Sequence, residues 1–315
     1  MERMKNLRYQ VILSMLMGII VAYLFFFLVD SRSSQYTIIS PLAEAKDIDH
    51  SITDRHPTIR IVPIKPLLRT TLNNIISKEK GTYSVVIRNL VTNEVVKINE
   101  RTKMEPGSLY KLWVMATVME KLEKGELTED QLLSDSVVNI NSAFKIDPES
   151  AELTEGIVSF TVNTALEQMI TISHNYAALI LAKKIRLASV DAFLSRYNFQ
   201  DSLIGQPPQT TAEDISLFFD KLYKKELVTT ERSIQMLDLL KRQKLNNKLP
   251  KYLPSGTIIA HKTGEIGTFS HDAGIVYSKN GPYSIVIFSD SGIPKEAEET
   301  IARLSQATYT YFEEK

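Results

Sequence analysis

Three short strings fall in a fixed order along the chain: Ser108-Leu109-Tyr110-Lys111, Ser173-His174-Asn175 and Lys262-Thr263-Gly264. A serine and a lysine three residues apart share one face of a helix, so the amine can reach the hydroxyl. Burial strips such a lysine of solvent and lowers its pKa toward that of a usable general base. A serine that opens a buried helix also meets backbone N–H groups and a dipole that favour developing negative charge. The chemistry such a pair supports is nucleophilic attack by a serine hydroxyl. Each string alone has a plainer explanation. Ser108 suits a helix cap and Lys111 a snorkelling side chain, Ser173 and Asn175 suit a helix junction, and Lys262-Thr263-Gly264 suits a surface turn. Ser-x-x-Lys also occurs at Ser77 and Ser142, and Ser-x-Asn at Ser278.

The elements around the strings separate these readings. From Leu109 to Leu122 the chain is apolar on nearly all sides, which predicts a buried helix that Gly125 stops. Ser77 ends an amphipathic stretch over 67–80 and Ser142 lies in a polar segment, so neither opens a buried helix. Ser173 follows a helical stretch over 161–172 and precedes another over 176–185. Lys262 closes a β-rich run over 258–262, where an edge strand would offer its backbone to a peptide-like substrate. There Lys262 adds positive charge and Thr263 a hydroxyl for a substrate carboxylate.

Further β-rich runs lie at 83–88, 95–98, 273–277 and 283–288, and 294–312 reads as a closing helix. Strands near both ends, around a middle of about 127–240 that is helical in pattern, predict an α+β fold. One antiparallel sheet is flanked by helices, with an all-helical subdomain inserted.

Composition narrows the function. The 315 residues carry 37 basic and 37 acidic side chains, with no basic excess to attract nucleic acid. Cysteine is absent, which removes disulfides, thiol nucleophiles and cysteine-held zinc. The five histidines never pair at i,i+4 as a helical metal site would, so no metal and no other cofactor is expected.

Residues 11–29 carry no charge, enough to cross about 30 Å of hydrocarbon. Arg3, Lys5 and Arg8 precede them and Asp30 follows, which predicts a cytoplasmic tail at 1–10 and an outward catalytic domain. A cleaved signal peptide is the alternative; its nearest small-residue site, Ala43-Glu44-Ala45, lies well past the apolar end. Residues 30–66 are polar with four prolines and read as an extracytoplasmic stalk, ahead of a catalytic domain over 67–315.

The ordered set resembles the signature of class A β-lactamases and penicillin-binding proteins. Gly267-Thr268 and Asp272-Ala273-Gly274-Ile275 are also similar to the family's text after Lys-Thr-Gly. The resemblance runs from about Leu67 to the end and implies the β-lactamase/transpeptidase fold. It implies Ser108 as nucleophile, Lys111 and Ser173 handling protons, and Asn175 orienting substrate. Lys262, Thr263 and Gly264 would bind substrate, and the backbone N–H groups of Ser108 and Glu265 would form an oxyanion hole. His174 stands where class A enzymes commonly have aspartate.

One departure bears on turnover. Class A enzymes carry a Glu-x-x-Leu-Asn loop whose glutamate activates the deacylating water. Here residues 198–213 read NFQDSLIGQPPQTTAE, without that motif. Gln200, Asp201 and Glu213 are the polar candidates nearby. A positioned general base is worth roughly 10²–10⁴ in rate, so slow hydrolysis of the acyl-enzyme is expected. Three functions follow: a β-lactamase-like acyl-serine hydrolase, a membrane-anchored D-Ala-D-Ala peptidase of cell-wall metabolism, or a non-enzymatic sensor of β-lactam or wall peptide.

Overall fold

In the computed structural model, residues 67–314 apart from Gln206 are described. The expected tail, anchor and stalk lie outside these residues. Among the described residues no helix is long and apolar enough to cross a membrane.

Alternating apolar positions build the central sheet. Strands β1 (Thr82–Asn89), β2 (Val95–Ile98), β5 (Ile258–Ile266), β6 (Phe269–Ser278) and β7 (Gly281–Asp290) pair antiparallel in the order β2-β1-β7-β6-β5. Neighbouring residues point to opposite faces. Val85, Ile87, Ile285 and Ile287 enter one core with helices α1 (Leu68–Ile76) and α9 (Pro294–Glu313). Val86, Val286 and Phe288 enter the other, larger core.

That larger core is organised around α2 (Lys111–Glu123), whose residues from Lys111 to Glu120 are all buried. A helix enclosed on every side needs no polar stripe, as its sequence predicts. Around it stand α4 (Val162–Thr171), α5 (Asn175–Ile185), α6 (Leu187–Arg196), α7 (Ala212–Tyr223) and α8 (Thr230–Lys241).

The middle of the chain is not all-helical. Strands β3 (Leu132–Ser136) and β4 (Ile157–Thr161) form a two-stranded antiparallel sheet, enclosing α3 (Val137–Phe144). Each strand fully buries a single residue, Leu133 or Val158, so a period-2 pattern had almost no apolar signal to show. The late strands also run further than expected. β5 continues through Gly264 to Ile266, placing Lys262-Thr263-Gly264 inside an edge strand rather than at its end.

Candidate active site

The three strings converge where the turn before α2 meets β5. Ser108 lies in a single 3-10 turn, Gly107–Tyr110, that feeds directly into α2. Two glycines allow this turn to touch the edge strand. A Cβ on Gly264 would stand 2.5 Å from the Pro106 carbonyl oxygen, and one on Gly107 would stand 2.6 Å from the Glu265 nitrogen. Gly107 also has φ +50°, which a side chain disfavours. The turn is further pinned by His271 on β6, whose Nδ1 accepts from the Ser289 N–H at 3.1 Å. Its proton therefore sits on Nε2 and is donated to the Glu105 carbonyl at 2.8 Å. Burial holds the His271 pKa down at about 4, so the ring is neutral near pH 7.

Two lysines meet at one serine hydroxyl. Lys111 and Lys262 are both fully buried. The Lys111 amine donates to Ser173 Oγ at 3.2 Å, the Ser173 carbonyl at 2.6 Å and Asn175 Oδ1 at 2.6 Å. Lys262 Nζ donates to the same Ser173 Oγ at 3.0 Å and to the Thr263 carbonyl at 2.8 Å. Burial lowers the Lys111 pKa to about 7, against an opposing pull from the Glu152 carboxylate. Lys262 is driven well below its ordinary value, by burial first and by the Lys111 charge second. Two ammonium groups cannot comfortably share a buried hydroxyl, so at least one amine here can exchange a proton near neutral pH.

The helix-cap readings do not survive. The residue capping α5 is His174, whose Nδ1 accepts from the Ala177 N–H at 3.2 Å. Ser173 sits just before it with φ +59°, a strained conformation for a non-glycine residue. That backbone leaves its hydroxyl to the two lysines. Ser108, half-buried, lies in the turn that touches β5, and the Lys111 hydrogen bonds run to the Ser-x-Asn string rather than to Ser108.

Sequence reasoning missed three contributors. Glu152, in the segment between α3 and β4, accepts from Asn175 Nδ2 at 2.5 Å. Lys248 is completely buried, donates to the His271 carbonyl at 3.1 Å and pairs with Glu265 Oε1 at 2.7 Å. This pairing accounts for a carboxylate next to Lys-Thr-Gly, which the sequence left unexplained. His271 was visible only as one of five histidines. None of the three lies in a recognisable motif; a buried lysine in a loop has no sequence period to betray it.

The polar candidates of residues 198–213 are engaged elsewhere. Asp201 pairs with Arg101 at 2.9 Å, Glu213 with Lys97 at 2.7 Å, and Gln200 donates to Asn198 at 2.9 Å. Ile204, Gly205 and Pro208 instead join Tyr110, Phe144 and Leu179 around an apolar cavity of about 160 Å³. Among the described residues no group of three or more His, Asp or Glu side chains gathers as metal ligands would.

The model of the "Beta-lactamase enzyme family" matches residues 67–312, nearly the whole described chain. The chain belongs to this family. Among curated proteins it is similar to "Beta-lactamase VEB-1" of Pseudomonas aeruginosa, 22% identical over 271 residues that cover 78% of this chain and 90% of that one. Among solved structures it resembles PBP-A, with a TM-score of 0.71, 22% identity, and coverage of 79% of this chain and 96% of that one. A mutant of PBP-A, solved as an acyl-enzyme complex with penicillin G, gives a TM-score of 0.68 at 20% identity, covering 79% and 97%. These structural likenesses establish the α+β β-lactamase/transpeptidase-like fold, and the family is one of acyl-serine hydrolases.

Proposed function

We propose that Ser108 attacks the carbonyl of a β-lactam or a peptide-like amide and forms an acyl-enzyme that hydrolyses slowly. The observation that carries this reading is the hydroxyl of Ser173 held between two buried amines, at 3.2 Å from Lys111 and 3.0 Å from Lys262. Lys111, with a pKa of about 7, takes the Ser108 proton. Ser173 passes it to the leaving nitrogen, with Lys262 holding that hydroxyl in place. The carbonyl carbon gains a bond to Ser108 Oγ as the amide C–N bond breaks. The Ser108 and Glu265 backbone N–H groups stabilise the oxyanion. Asn175, Thr263 and Gly264 line the substrate's path. Slow deacylation follows from residues 198–211, which hold no glutamate and present an apolar wall beside Tyr110.

The enzyme works on the outer side of the membrane, anchored through residues 11–29 and spaced by residues 30–66. That placement and slow deacylation favour a second reading, a D-Ala-D-Ala peptidase that β-lactams acylate. The full chain in detergent, mixed with a labelled penicillin, tests the shared step. We expect one stable adduct per chain and none on Ser108→Ala; an adduct that survives this substitution removes Ser108 as nucleophile. Release of D-alanine from a wall peptide separates the peptidase from a β-lactamase and from a silent sensor.

A further inference from the structure

We propose that Glu152 is the general base of deacylation in this chain, supplied from the segment between α3 and β4 rather than from residues 198–213. The inference rests on the acyl-enzyme reading above and assigns the group that carries its slow step.

Three observations place this carboxylate at the reacting centre. Glu152 Oε1 accepts from Asn175 Nδ2 at 2.5 Å, and the other end of that amide accepts from Lys111 Nζ at 2.6 Å. Only one amide group therefore separates the carboxylate from the amine that serves Ser108. Its charge is felt at the end of the nucleophile turn: it opposes the fall in the Lys111 pKa and adds to the rise that burial imposes on Tyr110. Its position is also built, not incidental. The next residue, Leu153, is clamped by the buried Tyr176 of α5, whose hydroxyl accepts from the Leu153 N–H at 3.2 Å and lies 2.8 Å from the Leu153 carbonyl. Asn141 Nδ2 of α3 donates to that carbonyl at 2.8 Å. The loop that carries Glu152 is thus tied to the helix that carries Asn175.

Three other carboxylates near the strings are held in ion pairs. Asp201 and Glu213 pair with Arg101 and Lys97, and Glu265 pairs with Lys248. Glu152 alone among them is bonded to a residue that itself holds Lys111. In the step, Glu152 takes a proton from water while the water oxygen bonds to the acyl carbonyl carbon. The tetrahedral intermediate collapses, the bond from that carbon to Ser108 Oγ breaks, and the proton returns to Ser108 Oγ by way of the Lys111 amine. Glu152 is an exposed residue, so its water is poorly enclosed. A base in that setting gives slow turnover, not none.

The test is a rapid-mixing experiment with the full chain in detergent and a chromogenic penicillin, which separates the acylation burst from the steady slope. For Glu152→Gln the burst stays near one equivalent and the slope falls at least about tenfold, within the range a positioned base supplies. Formate restores the slope in Glu152→Ala, which a purely structural role does not allow. An unchanged slope in Glu152→Gln overturns the proposal. A parallel loss of burst and slope, with no rescue by formate, overturns it too, because Glu152 then only positions Asn175. A wild-type chain that turns penicillin over with no burst removes the slow-deacylation reading itself, and this assignment of its slow step with it.

Discussion

Two loops lie near the turn that carries Ser108, and they differ in what they bring to it. Residues 198–211 belong to the stretch in which a catalytic glutamate is expected. Their acidic side chain, Asp201, is turned to Arg101, and their apolar residues close a wall against Tyr110. The segment between α3 and β4 carries no motif, yet Glu152 there reaches the amide that holds Lys111. A site needs a charge at a point in space, and the chain can deliver it from whichever loop the scaffold anchors. Motif and function are separable because hydrogen bonds, not sequence order, fix a loop side chain.

Only the Glu152 loop acts on the Lys111 amine, so Lys111 is where the comparison breaks hardest. Lys111→Ala should slow acylation by roughly 10²–10⁴, measured as the rate of penicillin labelling. In the wild type that rate should rise with pH and level off above about 7, because only the deprotonated amine accepts the Ser108 proton. The groups around it are Tyr110, Ser173, Asn175, Lys262 and Glu152. Of these, Glu152 favours the ammonium form. Glu152→Gln should therefore move the rising limb to lower pH, while Asp201→Asn leaves it in place. A limb displaced equally by both substitutions would mean that the two loops are electrostatically equivalent.

A second substitution tests the frame that both loops border. Gly264→Ala puts a methyl group 2.5 Å from the Pro106 carbonyl and 2.9 Å from Leu109 Cγ, so the turn or the strand must retreat. Overpacking of this kind costs about 1–3 kcal/mol. The expected result is a lower melting temperature together with slower labelling, since the same shift moves Ser108. Unchanged labelling would show that the contact between turn and strand is not what positions the nucleophile.

Much of this was legible from residue order. The enclosed helix after Ser108 and the final strands announce themselves through unbroken or alternating apolar patterns, and these elements carry Lys111 and Lys262. What stayed hidden has a common physical cause. β3 and β4 bury one residue apiece, too few to set a period. Lys248 pairs with Glu265 across a fold that brings a loop onto β5, a contact 17 positions apart with no repeating spacing. Glu152 lies amid polar residues, where any acidic side chain reads as a solvated surface. Helix faces and strand alternation are local properties; the partners of loop side chains are set by tertiary packing and leave no local trace.

The smallest predicted effect probes how the two loops are held. Residues 198–211 are tied down by backbone pairing of Met104 with Thr210 and of Leu203 with Gln209, and by the Asp214 carboxylate, which accepts from the Asp201 N–H at 2.8 Å and from the Ser202 hydroxyl at 2.7 Å. The Glu152 loop is held by side chains: the Tyr176 phenol meets both backbone groups of Leu153 and lies 2.9 Å from Asn141 Oδ1, and the Asn141 and Asn175 amides bond Leu153 and Glu152. Tyr176→Phe keeps the ring in the core and removes the phenol's bonds. A lost hydrogen bond of this kind is worth about 1 kcal/mol, which corresponds to roughly a fivefold change. The steady penicillin turnover should fall by about that factor with the acylation burst intact, because Ser108 and the two lysines stay where they are. If instead the burst weakens and the slope follows it, Tyr176 supports α5 and Ser173 rather than the Glu152 loop. The contrast between a loop pinned partly by backbone pairing and one held by side chains would then disappear.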